Sequence, residues 1–499
     1  MKINQQFFDK IDHKIIILFF FILFSSLSFI YLNSFDDYYD DWNFFFTVDA
    51  NISDEENWQR HYHGDRGDGG ILKEAYPWVF TYITKYILKI IGYSVENTHY
   101  FLLFFSALSI ITFYNLSDLV TKNIKFKIIV LVLFSLNLFL IRELNSFRPH
   151  SPTLFLSLVS NFYYIKFFVL KLKEKKNLII YFLSTILMLT LWPQSAAIFA
   201  GQIVFAIIFL NLKKVFLISL IFFCYIFLNL DYLIYLSGGV GTGDFGYTPL
   251  ELKFFTNYFF RTFFGSIIFG AFMLILFSFF LIKKIMSLNI RFNVKFFIEF
   301  RETELKPVNY LLVVILSTYS VGITYSLLRT SIMAPKYFIP LLPLIILWIG
   351  YYLYLTKNNF LFFCTIFLAF INCIIFWKDV PIDRPPMREA LKIIYNEDKN
   401  IKQIFTTERP VFNHFLSNYR FTQKNNFIIK DLNEFSEKNI KENFVILCLN
   451  NPRFAVGDLK LEDDEKCMES YKKNNFILIK TTKIDDFMIH FIKYNKQLK

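Results

Sequence analysis

Cysteine is scarce in this chain, and the few present form no recognisable pattern. Of 499 residues five are Cys: Cys224, Cys364 and Cys373 in apolar segments, Cys448 and Cys467 near the end. None makes a CxxC pair or a metal spacing. Cys448 and Cys467 can pair as a disulfide if the end of the chain is extracytoplasmic. Charge is also thin, at 19% of residues against 55% hydrophobic. A soluble domain does not carry repeated runs of about twenty apolar residues, so the chain reads as a polytopic helical membrane protein. It has no internal repeat and few charges in the middle of its apolar runs, the features that mark transporters. The net charge of +12 is accounted for by Lys and Arg in cytoplasmic loops, and no nucleic-acid partner is expected. A cleavable leader is not expected either. The run 15–32 follows Lys10 and Lys14 and ends Phe29-Ile30-Tyr31-Leu32 without a small-x-small site. It reads as an uncleaved signal anchor with a cytoplasmic N-terminus.

What is present is a polar island, 35–77, between two apolar segments. It opens with Asp36-Asp37-Tyr38-Tyr39-Asp40-Asp41-Trp42-Asn43 and closes with Lys73-Glu74-Ala75-Tyr76-Pro77. Further apolar spans are expected at about 100–119, 126–141, 152–171, 177–192, 194–211, 215–235, 262–283, 308–328, 338–355 and 360–377. The Lys-rich loops 122–127, 171–176, 213–214, 283–306 and 357 all become cytoplasmic if 78–93 does not cross the bilayer. That stretch, with Lys85 and Lys89 four apart, reads as an amphipathic helix at the outer interface. The result is about eleven spans, with the acidic island and the C-terminus outside. Arg142-Glu143, Arg148-Pro149-His150, Trp192-Pro193-Gln194, 238–261 and 329–336 then face the same side as the island.

From about 381 the composition becomes that of a soluble domain. Short apolar stretches at 402–407, 426–431, 444–450 and 476–481 read as strands. Helical patterns lie at 387–395, 410–418, 433–440 and 465–473. Alternation of this kind implies a small α/β domain with a largely parallel sheet. The organisation is therefore 1–380 in the membrane, with a first outer loop at 33–99, and 381–499 outside it.

Several constellations carry possible chemistry. The Asp40-Asp41 dyad could deprotonate an acceptor hydroxyl or help hold a divalent metal such as Mg or Mn; the bland reading is a solvated acidic loop. Lys73 and Glu74 precede a proline that can start the interfacial helix. Lys73 could bind a lipid phosphate or simply snorkel. His61 and His63 form an H-x-H pair among carboxylates, weak on its own as a metal site. Gly241-x-Gly243-x-x-Gly246 matches a dinucleotide fingerprint only as text, because no strand–turn–helix surrounds it. Arg329 and Lys336 are cations at the end of a span, followed by Tyr337-Phe338-Ile339-Pro340-Leu341-Leu342-Pro343. They suit an anionic ligand, or salt bridges to the acidic island.

Together these stretches resemble the GT-C superfamily of membrane glycosyltransferases, in particular protein O-mannosyltransferases and aminoarabinose-type transferases. The resemblance rests on the dyad in Tyr39-Asp40-Asp41-Trp42, on Lys73-Glu74-Ala75-Tyr76-Pro77, on Arg148-Pro149, on Lys336-Tyr337 through Pro343, and on Arg388-Glu389-Ala390 at the head of the tail. This chain departs from the pattern in its Asp at the second dyad position, its single proline after Tyr76 and its highly acidic loop. The resemblance implies an inverting transferase in the bacterial cytoplasmic membrane. It would use a polyprenyl-phosphate-linked sugar donor and a glycan, lipid or protein acceptor at the outer face. Asp40 would be the general base, with Asp41 orienting it or helping to hold a metal. Lys73, Arg329, Lys336 and Arg148 would bind the donor phosphate, and Glu74 and His61 the sugar or a metal. A transporter or flippase of an anionic glycolipid would use the same cations without chemistry.

Overall fold

The computed structural model describes residues 13–34, 41–60, 78–237, 256, 258–260, 262–287, 305–328, 334–377, 386–406, 410–434, 443–449, 476–484 and 487–494. The first helix, α1 (His13–Ser34), is apolar on every side, and packing alone decides which face is inside. Ile16, Phe20, Phe24 and Ser28 repeat every fourth residue and are buried, while Leu18, Phe19 and Ile22 are exposed. This is the i, i+4 stripe of a helix lying against a bundle. Two short helices follow, α2 (Asp41–Thr47) and α3 (Asp54–Trp58), then α4 (Trp78–Ile91). Helix α5 (Val95–Val120) starts at Ser94, whose hydroxyl accepts from Asn97 N at 3.3 Å.

The apolar run expected as one span at 126–141 is two helices, α6 (Ile124–Ser135) and α7 (Leu138–Leu144), bent by 55°. Asn137 makes the break. Its Oδ1 accepts from Leu140 N at 2.9 Å, so it caps the second helix, and its amide donates to Phe263 O at 2.9 Å. An Asn side chain that competes for backbone groups is a sufficient cause for a kink. The bundle continues with α8 (His150–Tyr164, extended by a π turn at Ile165–Val169), α9 (Lys175–Leu191), α10 (Ala196–Phe209), α11 (Leu212–Leu228), α12 (Leu230–Ser237), α13 (Ile267–Ser287), α14 (Pro307–Leu328), α15 (Leu341–Leu355) and α16 (Asn359–Phe376). Helix α15 packs tightly on α6 at Gly350, where a Cβ would meet Val130 Cγ1 at 2.3 Å.

Among the described residues six helices are long and apolar enough to cross a bilayer, seven if the bent pair is one span. The chain is thus a multi-pass helical membrane protein, but fewer of its helices are full length than the eleven expected. The segments at 177–192, 194–211, 215–235 and 338–355 form helices of 17, 14, 17 and 15 residues. Helix-breaking sequence shortens them: Trp192-Pro193 ends one and begins the next, Asn229 closes α11, and Pro340 precedes α15. At 1.5 Å per residue, 15 residues span roughly 22 Å of a hydrocarbon core about 30 Å thick.

Four of these helices share a neutral polar knot. Gln202 on α10 accepts from Tyr181 OH at 2.9 Å and donates to Ser160 Oγ at 3.1 Å and Asn161 Oδ1 at 3.4 Å. Asn161 also accepts from the Tyr310 hydroxyl and donates to Ser157 O at 2.7 Å. Tyr164 OH donates to Gln202 O at 3.0 Å. All are buried, and each polar group has a partner, as a low-dielectric interior requires.

The helices give the bundle two distinct ends. At one, His13 contacts Lys127, which is buried and paired with Asp118. Lysines 122–127, 171–176, 213–214 and 357 follow from helix direction to that same end. At the other end Tyr31 meets Trp377, and Trp192 meets both His150 and Tyr337. The polar loop and the tail sit there.

The tail is an α/β unit. Helix α17 (Met387–Glu397) leads to β1 (Gln403–Thr406), α18 (Pro410–Ser417), α19 (Arg420–Lys424), β2 (Ile428–Asp431), β3 (Phe444–Leu449), β4 (Phe476–Ile484) and β5 (Phe487–Tyr494). The sheet order is β2-β1-β3-β5-β4. Strand β1 runs parallel to β2 and β3, whereas β3–β5 and β5–β4 are antiparallel. The expected largely parallel sheet is therefore mixed. Its antiparallel half comes from β5, a strand the sequence pattern did not reveal, which folds back on β4. Cys448 in β3 is disulfide-bonded, and Cys224, Cys364 and Cys373 are free. Cys467 and most of the helical stretches expected at 433–440 and 465–473 lie outside the described residues.

Loop and tail share one apolar core. Trp42, Phe44 and Phe45 of α2 pack with Phe80 of α4 and with Phe412 and Phe415 of α18. The Trp42 and Phe412 rings lie 4.3 Å apart. Helix α2 is too short to be stable alone; this burial is what holds it and fixes the residue at its head.

Candidate active site

That residue is Asp41. It is fully buried and accepts from Arg148 Nε at 3.3 Å, the arginine side chain being 8% exposed. Arg148 lies in the turn between α7 and α8, where its backbone N–H donates to Ser146 O at 2.7 Å. The structure thus joins two sequence-predicted residues more than a hundred positions apart. It joins them as an ion pair, the partnership of outward cations with the acidic island.

The bend at Asn137 brings more charge to the same turn. Arg142 Nη2 lies 2.8 Å from Glu143 Oε1. Glu143 is buried and faces His150 Nδ1, 3.4 Å from Oε2 and 3.3 Å from its backbone O. Both neighbours of Nδ1 are acceptors, so Nδ1 carries the proton. The His150 ring sits against Trp192 at 4.7 Å, edge to face, and Trp192 Nε1 donates to Tyr337 O at 3.4 Å. Tyr337 stands beside Lys336, a half-buried residue on the 3₁₀ turn Pro335–Phe338, its Nζ 5.6 Å from the Tyr337 ring. The charges of both Arg148 and Lys336 act on His150. Asp41, Arg142, Glu143, Arg148, His150 and Lys336 therefore make one charged cluster at the loop end of the bundle. Glu143 and His150 have no role in the sequence reading, which saw them only as polar groups on that side. Asp40, Lys73, Glu74, His61 and Arg329 lie outside the described residues, as do His63 and the glycines of 241–246.

Helix α4 is present and short, as expected of an interfacial helix, but its two lysines behave differently. Lys85 does not snorkel. It is buried, with Nζ 2.7 Å from Asp54 Oδ1 and 2.8 Å from Ile52 O. Lys89 is exposed. The hydrogen bonds from Lys85 and then from Tyr86 hold the Asp54 carboxyl below its usual range.

The tail closes over the loop through His414 of α18. Its Nε2 lies 2.9 Å from Tyr93 OH and 3.4 Å from Asp49 Oδ2. Tyr93 donates its single hydroxyl proton to Phe45 O at 3.0 Å, so Nε2–H is the donor to Tyr93. Burial pushes His414 down to about 4, against the pull of Asp49. Arg60 reaches Asp49 at 3.4 Å and stacks on Phe46 at 4.0 Å. Nearby, Val95 N donates to Asn418 O at 3.1 Å, and Arg420 N donates to Glu96 Oε2 at 3.0 Å. Among the described residues no three His, Cys, Asp or Glu side chains assemble as a metal cage.

No family model matches the sequence, and no curated protein matches it. The fold nevertheless has a counterpart among solved structures. The chain is similar to the crystal structure of ArnT from Cupriavidus metallidurans bound to undecaprenyl phosphate, with a TM-score of 0.51 at 8% identity. The match covers 96% of this chain and 98% of that one. At this identity the likeness is one of fold, and it includes both the membrane bundle and the tail.

Proposed function

We propose that this protein is a membrane glycosyltransferase that moves a sugar from a polyprenyl-phosphate-linked donor to an acceptor at the outer face of a bacterial cytoplasmic membrane, with inversion. The observation that carries the reading is the buried Asp41–Arg148 pair, at the loop end of a bundle whose fold resembles that of ArnT. In this reading Asp40 takes the acceptor's hydroxyl proton as its oxygen attacks the anomeric carbon. The bond from that carbon to phosphate breaks, and polyprenyl phosphate leaves. Asp41, fixed by Arg148, sets the register of the dyad. Lys336, with Lys73, Arg329 and Arg148, neutralises the charge that develops on the leaving phosphate, which lowers the barrier. Glu74 and His61 contact the sugar.

The topology follows from charge. The lysine-rich end of the bundle faces the cytoplasm by the positive-inside rule, which puts the loop and the 381–499 domain outside. A disulfide at Cys448 suits that oxidising side. The test is an assay of purified protein in detergent with a panel of polyprenyl-phosphate sugars, membrane extract as acceptor, with and without Mg²⁺ or Mn²⁺. Release of sugar-free lipid phosphate that is lost in Asp40→Asn is the expected result. Saturable lipid binding with no turnover by any donor, unchanged in Asp40→Asn, would replace catalysis with transport.

A further inference from the structure

His150 is buried, its side chain 1% exposed, yet only one of its ring nitrogens is satisfied. Nδ1–H is held by Glu143, while Nε2 has no hydrogen-bond partner among the described residues. Burying an imidazole nitrogen without a partner costs about 1–3 kcal/mol, and a structural histidine avoids that cost. The knot around Gln202, which only holds helices together, satisfies its own buried polar groups. The surroundings of the ring also point to a ligand. Glu143, itself paired with Arg142, faces it from α7, the charges of Arg148 and Lys336 act on it from the turns before α8 and α15, and Trp192 packs on its flank. Two cations act on a ring whose open nitrogen becomes a donor once protonated. An anion entering between them would supply the missing partner.

We infer that His150 is a switchable ligand for the donor's phosphate: imidazolium Nε2–H donates to a phosphate oxygen, and Glu143 holds the ring in place and balances its charge. This rests on the transferase reading and adds to it a pH-dependent donor affinity. In the empty site burial of the ring disfavours the charged imidazolium, and the Glu143 carboxylate beside Nδ1 favours it. A phosphodiester anion tips the balance, so binding takes up one proton. Affinity therefore rises as pH falls through the histidine range.

The experiment measures binding of the methyl ester of undecaprenyl phosphate to the full chain in detergent from pH 5.5 to 8.5. This probe is a phosphodiester whose single charge does not titrate there. Wild type is expected to bind about tenfold more tightly at the acid end. His150→Gln should lose that dependence and retain the weaker, pH-independent affinity given by Lys336 and Arg148. Glu143→Gln keeps the imidazole but removes the charge that supports it, so the midpoint should move to lower pH. This second variant decides the matter if His150→Gln does not fold. Tight binding that is flat with pH, or a midpoint that Glu143→Gln leaves in place, overturns the inference and leaves the transferase reading standing. No binding at any pH counts against both, and turnover of the sugar-linked donors separates them.

Discussion

Two buried polar clusters in this molecule look alike in composition of contacts and differ in kind. The knot of Gln202, Asn161, Tyr181, Tyr310 and Ser160 is neutral, spans four helices and satisfies its members internally. The cluster of Asp41, Arg148, Glu143, Arg142, His150 and Lys336 is charged, lies at the loop end and leaves Nε2 of a buried histidine open. In a membrane bundle apolar burial hardly distinguishes helix from lipid, so neutral hydrogen bonds between helices are a natural way to specify packing. Buried charge is expensive there, and unmatched capacity more so. On the proposed reading, the difference separates a group of residues that fixes helices from one that meets a ligand.

The sharpest way to break this comparison is Arg148→Ala. It removes the guanidinium from a fully buried carboxylate, and breaking a buried pair from one side costs about 3 kcal/mol. Thermal unfolding in detergent should show that loss, and sugar transfer should fall about hundredfold as Asp41 loses its register. Asp41→Asn keeps an acceptor oxygen for Arg148 Nε and should unfold closer to wild type. If Arg148→Ala is as stable and active as wild type, the pair is incidental and the two clusters are not different in kind.

Next in size is a contrast between two buried histidines. His414 is partnered and neutral, with its folded value pushed down to about 4 against an ordinary 6.5. Its contribution to stability is complete above pH 6.5. As pH falls from 6.5 to 4 the unfolded chain takes up the proton before the folded one, and stability drops by up to about 3 kcal/mol, levelling off below 4. His414→Gln should flatten the unfolding temperature across that range. His150, by contrast, should show its proton in ligand affinity. Equal pH slopes of unfolding in wild type and His414→Gln would assign the acid sensitivity to other groups.

Much of the scaffold was legible in the sequence because length and apolarity alone mark a span, and alternation marks β1 to β4. Faces were not legible. In α1, Phe20 is buried and Phe19 exposed, and nothing in hydropathy separates them when lipid is as apolar as the bundle. Strand β5 was missed, although Phe444–Leu449 pairs with it along its whole length. The charge density of the island pointed to Asp41, and the outward cations to Arg148 and Lys336. Their joining to Glu143 and His150 depends on a 55° bend. Its one sequence signal is Asn137, a polar residue inside an apolar run just before Arg142-Glu143.

The smallest effect tests the other half of the comparison. Tyr310→Phe deletes only the hydroxyl that donates to Asn161 Oδ1, in a ring packed against Tyr164 at 4.8 Å. Shape is preserved, and Asn161 Oδ1 keeps the bond from Gln202 Nε2 at 3.4 Å, so no buried acceptor is left alone. The loss should be about 1 kcal/mol, the net value of one internal hydrogen bond. Unfolding temperature should fall slightly, while phosphodiester affinity, its pH midpoint and transfer rate stay at wild-type values. A fold that loosens at the knot and weakens binding in step would mean that the two clusters are coupled through α8, which carries Asn161 in its last turn and His150 at its head. Unchanged binding would show that the bundle fixes its helices with one set of residues and meets its ligand with another.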